Sequence, residues 1–379
     1  MKILFNNNNT FGLTVFRIDI IKHFLECGHQ VVLVCPVRLV DDLKKMPPEA
    51  KMIPIDANRA STGIMDNLSY FRQLYKIFKA EKPDYVFNYT IKPNIYGAIA
   101  AKLQGIPNSC MMAGLGYAFS HNDVSSIIAR GLYRVSMKCT QHVMLLNESN
   151  YHTVLDKHLC APRKIIWLKG GEGVNIDNYP FYDNDAPVPT FTFIARMIAE
   201  KGYRIFVEAA KQVRQRYQGE VRFHAIGTFA DGSPDASSNI TREEVDNDVK
   251  NGLIEYLGTF SNMLEVYSRP GTVITIPSYY SEGLNRSLME ACSCGKPIIT
   301  TSIWGCKETV EDGKNGYLVE PRDVQSLVDA IMRYLELSDE ERRQMSLESR
   351  KLAESRFDIR KVIAVYDDII AQATTGGKQ

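Results

Sequence analysis

Short apolar runs alternate with amphipathic, helix-length stretches from one end of this chain to the other, and no other feature limits its fold as tightly. Runs so short and so uniformly apolar are buried on both faces, which calls for a parallel sheet with helices on each side. In the first half the expected strands are Lys2–Phe5, Gln30–Cys35, Lys51–Ile55, Tyr85–Tyr89, Ser109–Ala113 and His142–Leu146. Helical patterns at Val15–Cys27, Asn67–Ala80 and Tyr96–Gln104 separate them. The grammar restarts at Phe191–Ala195 and continues through Arg222–Ile226, Ile254–Leu257, Val273–Ile276, Pro297–Thr301 and Gly316–Val319, with helices near 202–217, 261–268, 285–294 and 323–335. At 379 residues the chain exceeds one ordinary core, and two domains of about 150–200 residues follow. The join falls in the glycine-rich Leu168–Asn175, a hinge or a simple loop, followed by the Pro- and Asp-rich Tyr179–Pro189. The expectation is an α/β chain of two doubly wound, Rossmann-like domains, 1–168 and 169–356. Ligands would bind in a cleft at the carboxyl ends of their strands.

Charge narrows the partners. Lys and Arg total 45 against 44 Asp and Glu, so no global field points to nucleic acid and any anion must be gripped locally. Eight cysteines are scattered without zinc or redox spacing, which fits reduced thiols in a reducing compartment. Met1–Asn9 reads as a strand running into polar residues rather than a signal peptide, and no run of about 20 apolar residues crosses a membrane. A cytoplasmic protein is expected, with peripheral contact at the inner face of the plasma membrane left open.

The chemistry concentrates around two turns. Ser281-Glu-Gly-Leu-Asn-Arg-Ser-Leu-Met-Glu290 follows the apolar run Thr272–Pro277 and opens a helix. A strand turning through Glu-Gly into a helix sets a carboxylate beside exposed N–H groups: the helix start favours an anion and the carboxylate favours hydroxyls. A nucleotide sugar presents both. In Ala195-Arg-Met-Ile-Ala-Glu-Lys-Gly202, Arg196 and Lys201 stand just before another helix, where two cations are unfavourable unless an anion such as a diphosphate joins them. Taken singly, each could be a solvated surface charge.

Arg196, Lys201, Glu282, Glu290 and the segment Gly305–Gly316 together resemble the retaining family-4 glycosyltransferases of the GT-B fold, over nearly the whole chain. The resemblance implies two Rossmann-like domains facing across a cleft, with a C-terminal helix, about 357–373, passing back onto the first. It implies that Arg196 and Lys201 bind the donor diphosphate. Glu282 and the backbone of Gly283, Leu284 and Asn285 would hold the sugar, and Glu290 the ribose. Leu257–Ser261 stands where such enzymes hold the base, through the backbone near Phe260, and favours uridine. Gly227, after another strand, should line the nucleotide pocket, and the polar run from there to Lys250 reads as a long loop. Asp183-Asn-Asp185 and Asp246-Asn-Asp248 imitate a metal motif but fall in linker and loop. No metal or cofactor is expected beyond the nucleotide-sugar co-substrate.

The first half should take the acceptor. Asn88–Gly97, Gly114–Tyr117 and Trp304–Cys306 resemble transferases of capsule, O-antigen and glycan assembly that act on polyprenyl-diphosphate-linked sugars. Lys92, set between a strand and Pro93, could meet an acceptor phosphate or be a surface lysine. Thr10 and Gly12 belong to the first strand-to-helix loop, Asn9–Gly12. Many such enzymes carry a histidine after a central strand of this half; here His121 is the nearest, or else a loop residue. Arg130, Arg134 and Lys138 recur every four residues on a helix from Val124 to Lys138, either a membrane-docking face or a solvated one.

The activity these residues imply is retaining, metal-independent transfer of a galactose-type or N-acetylhexosamine sugar from a UDP-sugar to a lipid-linked acceptor. The diphosphate itself would take the proton from the incoming hydroxyl. The alternatives are a nucleotide-sugar epimerase of the same architecture and a two-domain solute-binding protein.

Overall fold

The computed structural model describes residues 1–37, 44–56, 63–113, 124–229, 239–280 and 283–376. The chain divides into two units, Met1–Gly173 with Ile359–Gln379, and Val174–Asp358. Each is built on one parallel sheet.

In the first unit the strands are β1 (Lys2–Asn6), β2 (Gln30–Cys35), β3 (Lys51–Pro54), β4 (Tyr85–Tyr89), β5 (Asn108–Met112), β6 (His142–Leu145) and β7 (Ile165–Trp167). Their order in the sheet is β3-β2-β1-β4-β5-β6-β7. Strand residues alternate between faces, and the core splits accordingly. Phe5, Phe24, Phe87 and Tyr366 lie on one side, whereas Leu4, Val86, Tyr70 and Phe78 lie on the other. The helices are α1 (Thr10–Phe16), α2 (Ile18–Glu26), α3 (Ile64–Glu81), α4 (Ala98–Leu103), α5 (Val124–Cys139) and α6 (Glu148–Asp156), with a π-helical turn over Pro93–Gly97.

The second unit has β8 (Thr190–Ile194), β9 (Arg222–Ile226), β10 (Glu255–Tyr256), β11 (Thr272–Ile276), β12 (Ile298–Thr301) and β13 (Gly316–Val319), in the order β10-β9-β8-β11-β12-β13. Around it lie α7 (Tyr203–Arg216), α8 (Arg242–Lys250), α9 (Leu264–Tyr267), α10 (Arg286–Ser293), α11 (Val324–Leu335) and α12 (Asp339–Leu352). Phe191, Phe193, Phe206 and Phe223 fill one face, and Ile274, Ile276 and Leu288 the other. The last helix, α13 (Ile359–Gly376), returns to the first unit, where the Tyr366 ring packs tilted against Phe87 with centroids 4.8 Å apart and its hydroxyl meets that of Tyr89 at 3.0 Å.

Two readings of loops need correction. Asn9–Gly12 is not a loop: Asn9 caps α1, its Oδ1 accepting from the Gly12 N–H at 2.6 Å, so Thr10 and Gly12 stand in the first helical turn. The run ending at Lys250 contains α8, whose first turn is capped by the Thr241 hydroxyl accepting from the Glu244 N–H. Asp246 and Asp248 therefore sit on a helix, and Asp248 accepts from the Tyr203 hydroxyl at 2.9 Å.

Candidate active site

In both sheets the chain reverses its winding between two adjacent strands, β1 and β4 in the first and β8 and β11 in the second. The loops leaving such a pair part to opposite faces and open a crevice, the usual ligand position in doubly wound folds. Of the described residues singled out by sequence, Arg196 and Lys201 follow β8, Gly283, Leu284, Asn285 and Glu290 follow β11, Thr10 and Gly12 follow β1, and Lys92 follows β4. Gly227 and Phe260 lie at the β9 and β10 exits, and Arg130, Arg134 and Lys138 lie on α5.

After β8, Arg196 is exposed and Lys201 is buried, at 8% exposure. One 3-10 turn (Ala199–Lys201) delivers the chain to Gly202, which starts α7 at φ +88°. A Cβ at Gly202 would collide with the Pro277 carbonyl, so the close approach of this turn to the end of β11 demands glycine. The Glu200 carbonyl then accepts from the Tyr279 N–H at 2.8 Å and the Ser278 hydroxyl at 3.3 Å. These bonds stitch the loop carrying Arg196 and Lys201 to the one leading into the Glu-Gly turn. The Lys201 ammonium lies 5.0 Å from the Tyr280 ring centroid, a cation–π distance.

Gly227 directly follows β9, where a Cβ would strike the Ala195 carbonyl. Its N–H donates to Gly258 at 3.0 Å and its carbonyl accepts from the Tyr256 hydroxyl at 2.7 Å. This ties the β8, β9 and β10 exits together. Phe260 is half-buried beyond them, with the Arg269 guanidinium 5.4 Å from its ring. Gly283 and Leu284 are half-buried ahead of Asn285, which caps α10: its side chain accepts from the Leu288 N–H, and its own N–H donates to the Gly305 carbonyl at 2.8 Å. That bond joins the Gly305 segment to the helix start. Glu282 lies outside the described residues, as does His121.

Glu290 is more enclosed than a ligand grip on an open face. At 6% exposure, its Oε1 accepts from the Tyr179 hydroxyl (2.9 Å) and Arg286 Nε (2.8 Å), and its Oε2 from the Tyr267 hydroxyl (3.4 Å). The carboxylate and burial together push the Tyr179 hydroxyl pKa well up, burial contributing most. Arg286 was legible as a partner four residues from Glu290 on one helix face. The tyrosines come from distant segments and carry no local signal.

At the first switch point, Asn6 and Asn88 are register partners on β1 and β4, and Asn6 Nδ2 donates to Asn88 Oδ1 at 2.8 Å. The Tyr70 hydroxyl reaches Asn6 Oδ1 at 3.4 Å. A Cβ on Gly12 would strike the Asn7 amide, which explains that glycine by contact rather than by backbone angle. Asn7 Nδ2, Asn88 Nδ2 and Thr90 Oγ1 are buried with no hydrogen-bond partner among the described residues. Thr90 also adopts φ +72°, a strained region for a β-branched residue. Strained backbone clusters at ligand sites, and buried polar atoms without partners beside it give a ligand something to bond. The sequence reading passed over Asn7 and quoted Asn88 and Thr90 only within the segment Asn88–Gly97, naming neither as a site residue. Lys92 follows, half-buried at the head of the π-helical turn, its pKa lowered by burial against an opposing pull from Asp66.

Helix α5 carries the basic residues on its outer side. Arg134 and Lys138 are exposed and Arg130 half-buried; Ile127 and Ile128 (58% exposed each) and Val135 (52%) lie among them, while Tyr133 and Met137 are core. Among the described residues, no helix is long and apolar enough to cross a membrane.

Known proteins match this arrangement. A model described as Glycosyl transferase 4-like matches residues 2–147, and one described as Glycosyl transferases group 1 matches residues 188–337. An N-acetylgalactosaminyltransferase of Campylobacter jejuni, named for N,N'-diacetylbacillosaminyl-diphospho-undecaprenol, is 26% identical over 89% of this chain and 90% of its own. An α-1,3-galactosyltransferase of Escherichia coli, named for UDP-Gal and GlcNAc-diphosphoundecaprenol, is 26% identical over 72% and 71%. Among solved structures, a Rickettsia africae glycosyltransferase superposes with TM-score 0.78 at 19% identity, covering 97% of this chain and 98% of that one. Anabaena HepE, solved with UDP, gives 0.77 at 17% identity over 98% and 100%. The epimerase and solute-binding alternatives give way to transfer: with the two family models falling one on each unit, the chain belongs to the group 1, family-4-like glycosyltransferases of the GT-B fold.

Proposed function

We propose that the protein transfers a galactose-type or N-acetylhexosamine sugar, with retention and without a metal, from a UDP-sugar to a polyprenyl-diphosphate-linked acceptor in surface-polysaccharide or glycan assembly. The observation that carries this reading is the stitched pair of loops after β8 and β11, which holds buried Lys201 beside the strand exit that leads into the Glu-Gly turn. The second unit would bind the donor. Arg196 and Lys201 grip the diphosphate, Glu282 with the backbone of Gly283, Leu284 and Asn285 holds the sugar, and the exits at Gly227 and Phe260 take the uracil. Glu290, already held by Arg286 and two tyrosines, meets the ribose with its remaining lone pairs. The UDP in HepE and the UDP-Gal of the E. coli relative's name support this donor.

In the reaction the anomeric C–O bond to the diphosphate breaks while the acceptor oxygen bonds to the same face of that carbon. The acceptor hydroxyl proton passes to the departing phosphate oxygen. The protein's share is electrostatic: the two cations and the α10 start stabilise charge building on the leaving group.

The acceptor would enter the first unit at Thr10, Gly12 and the Nδ2 groups of Asn7 and Asn88, with Lys92 near its phosphate and His121 a further candidate on the acceptor side. Undecaprenyl-linked acceptors in the relatives' names point the same way. The outer face of α5, where Arg130, Arg134 and Lys138 lie among Ile127, Ile128 and Val135, suits an interfacial helix at the inner face of the plasma membrane.

The purified protein, given a panel of UDP-sugars and lipid-linked acceptors, is expected to release UDP only when an acceptor is present and to be indifferent to chelator. Lys201→Ala and Glu282→Ala should each abolish transfer. Near-normal turnover in both variants, or sugar epimerisation without acceptor, would overturn the reading.

A further inference from the structure

At the end of the first sheet opposite its carboxyl edge, a groove of about 720 Å3 opens among the residues that lead into β5, β6 and β7. Lys102, Lys138, Arg163 and Lys164 line it together with His142, and no carboxylate is found among its described lining residues. In a chain whose charges balance almost one for one, four cations around one hollow without an acid is a local excess. Lys164 serves the framework: its ammonium donates to the carbonyls of Met137 (3.1 Å), Lys138 (3.2 Å) and Thr140 (2.6 Å), closing the end of α5. Burial lowers its pKa, Cys160 and Cys139 pull the other way, and Arg163 and Lys102 add smaller downward contributions. His142 is likewise lowered, by burial first and then by Lys164. Like charges held together this way favour an anionic occupant.

The surroundings identify which anion. Leu103, next to Lys102, is 63% exposed, and Lys138 ends the same helix whose outer face shows Ile127, Ile128 and Val135. From Ile127 to Lys138 that face runs about 16 Å along α5. A soluble phosphate has no use for exposed aliphatic residues beside its site, whereas a lipid needs both cations and an apolar shelf. A helix lying in the membrane plane would bring the groove to the headgroups at its C-terminal end. Its N-terminal end, which follows the carboxyl edge of β5, would remain free to face a lipid-linked acceptor.

We infer that this groove is a binding site for the phosphate headgroup of an anionic phospholipid, distinct from both substrate sites and continuous with the docking face of α5. The inference rests on the membrane contact proposed above for that helix.

The test uses the whole protein and co-sedimentation with vesicles of phosphatidylcholine alone or with phosphatidylglycerol added. The unsubstituted protein should bind the anionic vesicles more tightly. Lys102→Glu/Arg163→Glu should weaken that binding by about tenfold or more and leave the weak binding to neutral vesicles unchanged. Lys250→Glu/Arg343→Glu, in the second unit, makes the same change in net charge and should leave anionic binding intact. Ile127→Ser/Ile128→Ser should weaken binding to both vesicle types. A thermal melt confirms that each variant is folded. If the unsubstituted protein binds neither vesicle, the docking of α5 fails and the groove assignment falls with it. If it binds anionic vesicles and the Lys102/Arg163 variant binds them equally well, or no worse than the Lys250/Arg343 control, only the groove assignment is overturned. Glycerol phosphate at equal phosphate concentration is expected to compete poorly. Full displacement by it would mean the groove is a site for soluble phosphate and would also overturn the lipid assignment.

Discussion

Gly202 carries two demands at once, a left-handed backbone and contact with the Pro277 carbonyl, and both fall next to Lys201. Gly202→Ala should therefore destabilise the second unit by about 2 kcal/mol and weaken UDP binding, read by denaturant unfolding and by calorimetric titration. Lys296 poses a different question of the same unit. It is fully buried, donating to Asn184 Oδ1 at 2.8 Å and the Arg269 carbonyl at 3.2 Å, and burial lowers its pKa to about 8. Its folded pKa lies below the ordinary 10.5, so between about 8 and 10.5 the unfolded chain holds the extra proton and stability rises with pH. The difference in unfolding free energy between the protein and Lys296→Met should change by up to about 3 kcal/mol across that window, and a flat difference would refute the shift. The residues singled out in the sequence here, Arg196 and Lys201, sit on a loop that local spacing encodes. Tyr179, Tyr267 and Asn7 were not legible, because their surroundings form only when distant strands and helices meet.

Helices missed by periodicity were announced by their caps instead. Ser338 and Glu341 form a reciprocal capping box at the start of α12, and Thr241 with Glu244 presents the same spacing at α8, although only the threonine bond forms there. Both helices are strongly polar, so few apolar residues recur to betray them, whereas the S/T-x-x-E signature does not depend on burial. Ser338→Ala should cost about 1 kcal/mol, measured by thermal unfolding, and leave UDP affinity unchanged. The strands were easier. β2, β4, β9 and β13 begin and end where the sequence reading put them, since an unbroken run of buried, mostly apolar residues marks a parallel strand covered on both faces. β7, three half-buried residues at the sheet edge, is apolar throughout but too short a run to read as a strand.

On the scale of the whole molecule, the segment leading out of the first unit is locked before it leaves. Glu172 pairs with Arg17 at 2.6 Å, both almost fully buried, and the Arg17 guanidinium lies 4.3 Å from the Tyr89 ring centroid while donating to the Gly12 carbonyl. Sequence marked this stretch as a glycine-rich hinge or loop and gave no hint of the ion pair, whose partners are remote in the chain. Arg17→Met would strand a buried carboxylate and should cost about 3–5 kcal/mol; Arg17→Met/Glu172→Gln should recover much of it in denaturant unfolding.

The return of α13 to the first unit also fixes an order of events during synthesis. Residues 174–358 are contiguous and can finish their core as they emerge, whereas Phe24, Phe87 and Tyr89 lack their cover until Tyr366 is made. The half of the chain that begins first is thus completed last. A nascent chain halted at Asp358 should resist limited proteolysis across its second unit and yield across its first, and release of the remaining residues should close that window.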